Sequence, residues 1–330
     1  MSHLVIAGGG TGGHLFPGLA VAAELRRAGA DVSWLGAERG LERDLAPQAG
    51  IHLRTLAVSG AVGRGPAAAV AAALQMLPAI LQAAHHLLRH EAAGLLAVGG
   101  YAAMPGALAA ATLGIPFVIQ EQNALPGMTN RLLAPWSVAI ACGFARALAT
   151  FPSLPARWTG NPVREEFFVL PNPPVEPLTL LVLGGSQGSA FLNRVIPEAL
   201  ARLARTHALP RIVHQAGVRW VEEVRDRYAA LAVPAQVEGF LVQPAAALAP
   251  ACLVIARAGA LTVSELAAAR RAVLLIPFAA AAHGHQLCNA ETLAATGAAV
   301  VLEERAASPE QVATALAGLL ANPARLIERG

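Results

Sequence analysis

The sequence predicts an α/β protein made of two similar doubly wound domains, and three observations support that prediction. Residues 4–29 read as a buried strand, a glycine-rich turn and an amphipathic helix. Residues 179–204 repeat the same order about half a chain later. The chain has 330 residues, which is enough for two domains that each bury a core.

The later parts of the two halves also correspond. LLAVGG is followed by a turn, a helix and IPFVIQEQN, while LVIARAGA is followed by a helix and AVLLIPF. Between the halves, FPSLPARWTGNPVREEF and PNPPVEP are rich in Pro and Asn, as linkers are. We expect domains at 1–162 and 163–330 with a hinge near 160–164. Because such folds bind ligands at the carboxyl ends of their strands, we also expect the two parallel sheets to face a central cleft.

Composition narrows the possible classes of protein. Hydrophobic residues make up 55% of the chain and charged residues 14%, which excludes a disordered chain. All 24 basic residues are arginine, and no Arg cluster alternates with aromatic residues, so we expect no nucleic-acid partner. The three cysteines have no disulfide or metal-ligand spacing, and LVIAGGG begins without a charged leader. These features favour a chain that stays in the cytoplasm.

The first glycine turn contains the literal pattern G-x-G-x-x-G at Gly8, Gly10 and Gly13. A nicotinamide site also needs an acidic residue at the end of the second strand, but DVSWLG ends without one. A phosphate loop and a purely structural tight turn both remain open. His14 follows the turn at the start of the first helix, where a general base can stand, although a lone histidine is more often structural.

The second glycine turn, GGSQGS at 184–189, places backbone N–H groups at a helix start, where they can bind a diphosphate. The alternative is a helix cap by Ser186 with glycines that only serve the turn. The only aspartates are Asp31, Asp44 and Asp226, and they form no Asp-x-Asp pair. We therefore expect no metal, and we expect helix starts and Arg164 to stabilise the phosphate charge.

Two further motifs follow strands of the second half. In RAGALTVSELAAA, a cap by Thr262 or Ser264 would place Glu265 in the first helical turn, either as a ribose-binding carboxylate or as an ordinary favourable acid. HGHQLCN, residues 283–289, offers Gln286 and Asn289 as amides that can read sugar hydroxyls. His283 and His285 have no third ligand nearby, so this motif does not indicate a metal site.

Seven motifs occur in order along the chain: AGGGTGGHLFPGLAVAAEL, GGYAAMPG, EQNALPGMTN, GNPVR, GGSQGS, RAGALTVSE and HQLCNA. Together they closely resemble the MurG family of bacterial glycosyltransferases, which transfer N-acetylglucosamine from UDP-N-acetylglucosamine to lipid I in cell-wall synthesis. The resemblance covers nearly the whole chain. It implies the GT-B fold of two Rossmann-like domains, with the acceptor domain first and the UDP-sugar domain second. It also implies an inverting hexosyltransferase that uses no metal or cofactor.

The same resemblance implies the residues that contact UDP-N-acetylglucosamine: Thr11, Gly12, Gly13, Asn123, Arg164, Ser186, the backbone at Leu241, Ala260, Leu261, Thr262, Val263, Ser264, Glu265 and Gln286. Glu265 would bind the ribose and Leu241 the uracil. His14 is the candidate base for the 4-hydroxyl of the muramyl sugar of lipid I, which gives lipid II and UDP. The chain departs from the family at 283–284 and 242–244, where relatives often carry acidic residues.

Three other functions compete with this interpretation. A UDP-N-acetylglucosamine 2-epimerase would need carboxylates close to the sugar, and only Glu121 and Glu265 are suitably placed in the sequence. A nicotinamide dehydrogenase would use the turn from Gly8 to Gly13. A sugar-nucleotide-binding module would bind UDP without turnover.

A lipid-linked acceptor implies contact with an anionic membrane surface at the cytoplasmic face. The segment from Gly65 to Leu88 has the length of a membrane span, but Pro78 and unpaired Gln and His side chains argue against one. We instead expect a docking helix, with one apolar face formed by Val70, Leu74, Leu77 and Leu81. The head groups would be met by Arg64, Arg89, His85, His86 and His90. The alternative is that this face packs on the sheet.

Overall fold

The structure is a computed structural model that describes residues 2–10, 12–38, 40–58, 66–174, 176–185, 187–280, 284–322, 324, 326 and 328; for 66–73 it describes the backbone alone. The chain divides into two compact units, Met1–Val163 and Arg164–Gly330. Each unit is an α/β fold around a parallel sheet, and each is described by itself below.

In the first unit, the described residues form a seven-stranded sheet in the order β3-β2-β1-β4-β5-β6-β7. The strands are β1 (His3–Ala7), β2 (Asp31–Ala37), β3 (His52–Leu56), β4 (Ala92–Ala97), β5 (Phe117–Glu121), β6 (Ala139–Cys142) and β7 (Ala156–Trp158). The helices are α1 (Gly12–Arg27), α2 (Glu42–Gln48), α3 (Pro66–Arg89), α4 (Ala103–Leu113) and α5 (Met128–Leu133). The strand order reverses between β1 and β4, so the loops after these strands lie where open α/β sheets bind ligands.

In the second unit, the described residues form a six-stranded sheet in the order β10-β9-β8-β11-β12-β13. The strands are β8 (Thr179–Leu183), β9 (Arg211–Gln215), β10 (Gln236–Glu238), β11 (Leu253–Ala256), β12 (Ala272–Leu275) and β13 (Ala299–Val301). The helices are α6 (Ala190–Leu203), α7 (Val221–Ala230), α8 (Pro244–Leu248), α9 (Ala260–Ala268), α10 (His285–Ala294) and α11 (Pro309–Leu320). Here the order reverses between β8 and β11, which again places the switch beside a glycine-rich turn.

The central strands of both sheets are continuous apolar runs because helices cover both of their faces. Val5 and Ile6 of β1 and Leu180 to Val182 of β8 are fully buried. One expectation fails at the sheet edge. The Pro-rich stretch after residue 150 is not all linker, since Ala156–Trp158 pairs with β6 as an edge strand. Short edge strands tolerate flanking prolines because one side of their backbone needs no partner.

Helix α3 is apolar on more than one side. Ala79, Ala83 and Leu87 are buried in the core of the first unit. On the outer side the exposed fractions are 74% for Leu74, 64% for Leu77, 62% for Leu81 and 61% for Leu88, and we call these four residues the leucine face. The alternative that the leucine face packs on the sheet is therefore wrong, because a different side of α3 packs on the unit. The docking role of the leucine face stays a prediction. The side chain of Val70 and all of Arg64 lie outside the described residues. No helix among the described residues is long and apolar enough to cross a membrane.

Four histidines lie together at the amino ends of β1 and β3, beside the last turns of α3; this histidine cluster consists of His3, His52, His86 and His90. The Nε2 atoms of His3 and His86 both lie 2.8 Å from Ser33 Oγ. Burial, followed by the neighbouring histidines and Arg54, lowers the pKa of His86 to about 4. The buried His86 ring is therefore neutral at pH 7 and is held inside the unit.

Candidate active site

His14 stands in the first turn of α1, which begins at Gly12. Its Nδ1 lies 3.1 Å from the Val98 carbonyl oxygen at the end of β4. Because a carbonyl only accepts, Nδ1 carries the proton and Nε2 keeps its lone pair. Burial is the largest influence on the pKa of His14 and lowers it, against smaller raising effects that include the Glu121 charge. The ring is therefore a neutral imidazole with one basic nitrogen, as a general base requires.

Two glycines after β4 leave room for the His14 ring. A Cβ atom at Gly99 would lie 3.1 Å from His14 Nδ1, and φ at Gly99 is +88°. A Cβ atom at Gly100 would lie 2.6 Å from the Gly9 carbonyl oxygen. Glycine is therefore required at both positions, because a Cβ atom would lie too close to its neighbours and because both residues have a positive φ.

Glu42 holds the first glycine turn in place, a role that the sequence did not reveal. It is fully buried at the start of α2. Its two carboxylate oxygens accept from the Gly10 N–H at 3.2 and 3.0 Å, and Oε1 also accepts from the Ala37 N–H at 3.0 Å. A protein carboxylate therefore already occupies the Gly10 N–H, which weighs against a dinucleotide phosphate at that point. Gly12 is half-buried and Gly13 exposed, while Thr11 lies outside the described residues.

The loop after β5 is held by Glu121, which is 1% exposed. Its carboxylate accepts from the backbone N–H of Asn123 at 2.8 Å and of Gly127 at 3.0 Å. It also accepts from Asn130 Nδ2 at 2.8 Å and from Asn123 Nδ2 at 3.3 Å. Asn123 is half-buried beside this carboxylate. The Glu121 carboxylate therefore stabilises the loop, and both of its oxygens are already hydrogen-bonded within the protein.

The glycine turn after β8 leads into α6, whose N-cap is Ser189. The Ser189 hydroxyl accepts from the Leu192 N–H at 3.4 Å. The alternative of a cap by Ser186 is therefore wrong, because the helix begins three residues later than that interpretation requires. Ser186 itself lies outside the described residues. A Cβ atom at Gly188 would lie 2.0 Å from the Ala216 carbonyl oxygen, so only glycine fits there.

Glu265 and Arg164 lie together in the second unit. Arg164 Nη2 is 3.6 Å from Glu265 Oε1, and Arg164 Nη1 is 3.1 Å from Glu166 Oε1. Burial raises the pKa of Glu265, and the nearby Arg164 opposes that shift. The expected position of Glu265 in the first helical turn is wrong. Helix α9 begins at Ala260 after Gly259, without a side-chain cap, which places Glu265 in the second turn.

The rest of the RAGALTVSE motif follows the pattern of a half-buried helix. Ala260 and Val263 are buried, and Leu261, Thr262 and Ser264 are half-buried. The Ser264 hydroxyl donates to the Ala260 carbonyl at 2.9 Å, so it satisfies the helix backbone instead of capping it. Leu241 is half-buried in the turn after β10.

Gln286 and Asn289 differ in what their amides can do. Gln286 Oε1 accepts from the Phe278 N–H at 2.9 Å and from the Ala258 N–H at 3.2 Å. These donors fix the amide orientation, so the two hydrogens on Nε2 point away from them. Asn289 is fully buried, and its Nδ2 donates to the Ala258 carbonyl at 3.2 Å. The expectation that Asn289 reads a sugar hydroxyl therefore meets a physical obstacle, because this amide holds the Ala258 loop inside the core.

His283 lies outside the described residues, so its suggested pairing with His285 has no structural description. Among the residues that the structure describes, no set of three or more His, Cys, Asp or Glu side chains is arranged to hold a metal ion.

Family models match both halves of the chain. Residues 4–142 match the glycosyltransferase family 28 N-terminal domain, and residues 179–330 match the glycosyltransferase family 28 C-terminal domain. The chain belongs to glycosyltransferase family 28. The GT-B fold class predicted from the sequence is thereby confirmed, and the family is one of glycosyltransferases rather than nicotinamide enzymes.

Individual relatives of this family 28 chain extend the likeness over nearly its whole length. It is 43% identical to the UDP-N-acetylglucosamine–N-acetylmuramyl-(pentapeptide) pyrophosphoryl-undecaprenol N-acetylglucosamine transferase of Xanthomonas campestris pv. campestris, over 98% of this chain and 75% of that protein. It is 45% identical to the transferase of the same name from Ectopseudomonas mendocina, over 96% of this chain and 89% of that protein. It is also similar to the crystal structure of Acinetobacter baumannii MurG, with a TM-score of 0.82, 32% identity and coverage of 100% and 93% of the two chains. The resemblance to the MurG family is confirmed.

The sequence analysis did not identify one set of hydrogen bonds in this family 28 chain, which is centred on Arg257. Arg257, directly after β11, donates from Nε to Ser189 Oγ at 3.1 Å, from Nη1 to the Ile276 carbonyl at 3.0 Å and from Nη2 to Glu304 Oε1 at 3.0 Å. The three bonds join the end of β11 to the start of α6, the end of β12 and the loop after β13, so Arg257 sets the positions of these segments relative to one another. Its only signal in the sequence is that it is an arginine immediately after a buried strand.

Proposed function

We propose that this protein transfers N-acetylglucosamine from UDP-N-acetylglucosamine to the 4-hydroxyl of the muramyl sugar of lipid I, which yields lipid II and UDP for peptidoglycan synthesis. The observation that carries the substrate choice is the identity of 43% and 45% to transferases of that printed name across 98% and 96% of this chain. The observation that supports general-base catalysis is the position of His14 at the start of α1, with an unprotonated Nε2.

The reaction is a single inverting displacement. The acceptor hydroxyl gives its proton to His14 Nε2 while its oxygen forms a bond to the anomeric carbon of the donor. The bond from that carbon to the diphosphate oxygen breaks, and its electron pair leaves with UDP. The backbone N–H groups of the 184–189 turn, Ser186 and Arg164 stabilise the charge that develops on the diphosphate. A displacement supported in this way needs no metal and no cofactor.

Most of the proposed donor contacts belong to the second domain, 163–330, and the acceptor is proposed to bind the first domain, 1–162. Glu265 accepts from the ribose hydroxyls, the backbone at Leu241 contacts the uracil, and the Nε2 hydrogens of Gln286 donate to the sugar. The orientation of the Gln286 amide supports that last role, because its oxygen is already bound to two backbone N–H groups. The remaining donor contacts proposed are Thr11, Gly12, Gly13, Asn123 and the α9 start from Ala260 to Ser264.

A lipid-linked acceptor requires the enzyme to work at a membrane surface, and the leucine face of α3 supports a peripheral place on the cytoplasmic face. Four leucines that are each more than 60% exposed on one helix are costly in water and favourable at a lipid interface. Arg89 and Arg54 are exposed near the end of this helix and can meet anionic head groups.

The histidines contribute less charge there than the sequence suggested. His86 is 5% exposed, and its pKa is lowered to about 4, mainly by burial. His90 stacks on His3 at 4.8 Å, and burial together with neighbouring histidines lowers its pKa as well. The expectation that His86 meets head groups is therefore wrong, since the ring is buried and neutral.

The epimerase alternative is weakened by the occupancy of Glu121. An epimerase needs carboxylates that are free to approach the sugar, but four N–H donors already surround the Glu121 carboxylate. Glu265 alone does not supply the paired acid and base that such chemistry uses.

Product analysis tests the proposal directly. The protein is mixed with UDP-N-acetylglucosamine and a lipid-linked muramyl acceptor in detergent, and the lipid product is identified by mass. We expect a gain of one N-acetylhexosamine on the acceptor and release of one UDP per transfer. Formation of the 2-epimer from the donor alone, or UDP binding without any product, would overturn the proposal.

A further inference from the structure

Gln122 lies one residue after β5 and is 1% exposed. Its Nε2 donates to the Val98 carbonyl at 2.6 Å and also to Gln120 Oε1. Gln120 is itself oriented by its Nε2, which donates to Asn161 Oδ1 at 3.0 Å. Because both atoms that face Gln122 Nε2 are acceptors, the amide cannot be turned over. The direction of the Gln122 oxygen is therefore fixed by its neighbours.

The Gln122 Oε1 atom is buried and has no hydrogen-bond partner among the described residues. Buried amide oxygens are nearly always bonded, and one that is not destabilises the resting protein. Because this oxygen lies in a candidate active site, a step of the reaction that brings a positive charge or a donor to it would stabilise it.

The Gln122 amide and the His14 ring share one carbonyl. Val98 O accepts from Gln122 Nε2 at 2.6 Å and from His14 Nδ1 at 3.1 Å. The Gln122 side chain thus lies beside the imidazole. It raises the pKa of His14, although burial has the larger effect and lowers it. The amide therefore stabilises the imidazolium form of the ring relative to the neutral form.

We propose that Gln122 is a positioning residue for catalysis, whose Oε1 stabilises the His14 imidazolium that forms when Nε2 takes the proton of the acceptor hydroxyl. This inference rests on the proposed function. The proton moves from the hydroxyl to Nε2, the hydroxyl oxygen bonds to the anomeric carbon, and the electron pair of the broken bond leaves on the diphosphate oxygen. Nδ1 keeps its hydrogen throughout, and the ring as a whole becomes a cation.

The value of this arrangement is that the oxygen acts in the transition state and not in the resting enzyme. An interaction that strengthens as charge develops lowers the barrier, whereas one that is equally strong before and after only improves binding. The Gln122 side chain is bound to Val98 and Gln120 and is not among the proposed donor contacts. Its loss should therefore change kcat and leave UDP affinity unchanged.

Two variants of Gln122 separate this role from a merely structural one. Gln122→Met removes the oxygen at similar length. We expect kcat to fall roughly 10- to 100-fold with an unchanged Kd for UDP. The acidic limb of the pH profile should move to lower pH. In Gln122→Glu, the oxygen that replaces Nε2 must carry a proton, because it faces the acceptors Val98 O and Gln120 Oε1. This neutral form keeps the other oxygen, so its acidic limb should lie close to that of the unchanged enzyme. Adding Gln122→Met to His14→Ala should cause no further loss of kcat.

The His14 titration is also followed by NMR in the free protein, with His14→Ala used for assignment, so that one readout needs no substrate. We expect His14 to titrate at lower pH in Gln122→Met than in the unchanged protein. Gln122→Leu replaces Gln122→Met if the latter does not fold. An unchanged His14 titration and pH limb in the apolar variant, with the enzyme making product normally, would overturn the role of Gln122. Absence of product from the unchanged enzyme would instead overturn the proposed function.

Discussion

The Arg164 guanidinium and the Glu265 carboxylate form a 3.6 Å ion pair in the second unit. Both were expected to contact the donor, Arg164 at the diphosphate and Glu265 at the ribose. Arg164 also pairs with Glu166 at 3.1 Å, so its guanidinium lies between two carboxylates. Binding UDP would replace this pair with ligand contacts, so the two residues should be energetically coupled in donor binding.

Replacing Glu265 by alanine should weaken UDP binding at least tenfold, because two ribose hydroxyls lose a charged acceptor worth roughly 1.5–3 kcal/mol per bond. Isothermal titration calorimetry measures the change. Glu166→Ala is a matched control, since Glu166 also pairs with Arg164 but has no proposed contact with the donor. Unchanged affinity in a folded Glu265→Ala variant would remove the ribose role.

The UDP affinity should fall at mildly acidic pH because burial raises the pKa of Glu265. Ribose binding uses the ionised form, so the contribution of Glu265 is present above its raised pKa and is lost as pH falls through it. UDP titrates in the same range, so the informative quantity is the difference between the unchanged protein and Glu265→Gln. Parallel affinity curves from pH 7.5 to pH 5 would contradict the prediction.

Replacing His14 by alanine should lower turnover by about two to four orders of magnitude, because the base that removes the acceptor proton is lost. Donor affinity should change little, since the His14 side chain is bound to the Val98 carbonyl and is not among the proposed donor contacts. Steady-state kinetics and calorimetry measure the two quantities separately. Turnover close to that of the unchanged enzyme would place the base elsewhere.

The double substitution Leu77→Glu and Leu81→Glu should reduce binding to vesicles that contain anionic lipid, and should reduce activity on lipid acceptor. UDP affinity should stay the same because both side chains are more than 60% exposed and lie in the first unit. Ile80 is a poorer choice, since it packs partly against the core. Val218→Glu, at a site 75% exposed in the second unit, is the control for an added surface charge. Equal vesicle binding by the control and the double variant would refute a docking role for α3.

Acid should destabilise the first unit through the histidine cluster. The pKa of His86 is about 4 in the folded protein and near 6.5 when unfolded, so the unfolded chain binds more protons between these values. Stability is therefore full above about pH 6.5 and falls, by an amount of order 2–3 kcal/mol, as pH drops towards 4. Denaturant unfolding at several pH values measures this. His86→Gln should flatten the pH dependence, whereas His85→Gln, at the neighbouring exposed position, should not.

The sequence predicted the fold well because its strands and turns are locally encoded. The run TLLVL is β8 in the structure, and the first helix ends at Arg27, where two arginines and a glycine indicate a helix end. The position of Glu265 was predicted less well. The residue at which α9 begins depends on where the chain leaves β11. That point is set by tertiary packing, and the local sequence suggested a later start at Thr262 or Ser264.

The carboxylates that shape the site were the least predictable part. Glu42 stands in the ordinary-looking segment ERDLAPQ, and its role appears only when β2 and the glycine turn are adjacent in space. The burial of Asn289 was not predictable either. The motif HGHQLCN does not say which residues of α10 face the core, and Asn289 faces it.

The buried Glu42 carboxylate has a thermodynamic consequence for ligand binding. A glycine-rich turn samples many backbone conformations, and a ligand that orders such a turn loses part of its affinity to that entropy. Here folding has already removed that freedom, since Gly10 is bound by both carboxylate oxygens before any ligand arrives. Binding of the proposed substrates beside Gly10 therefore orders less backbone than binding at an unrestrained glycine turn would.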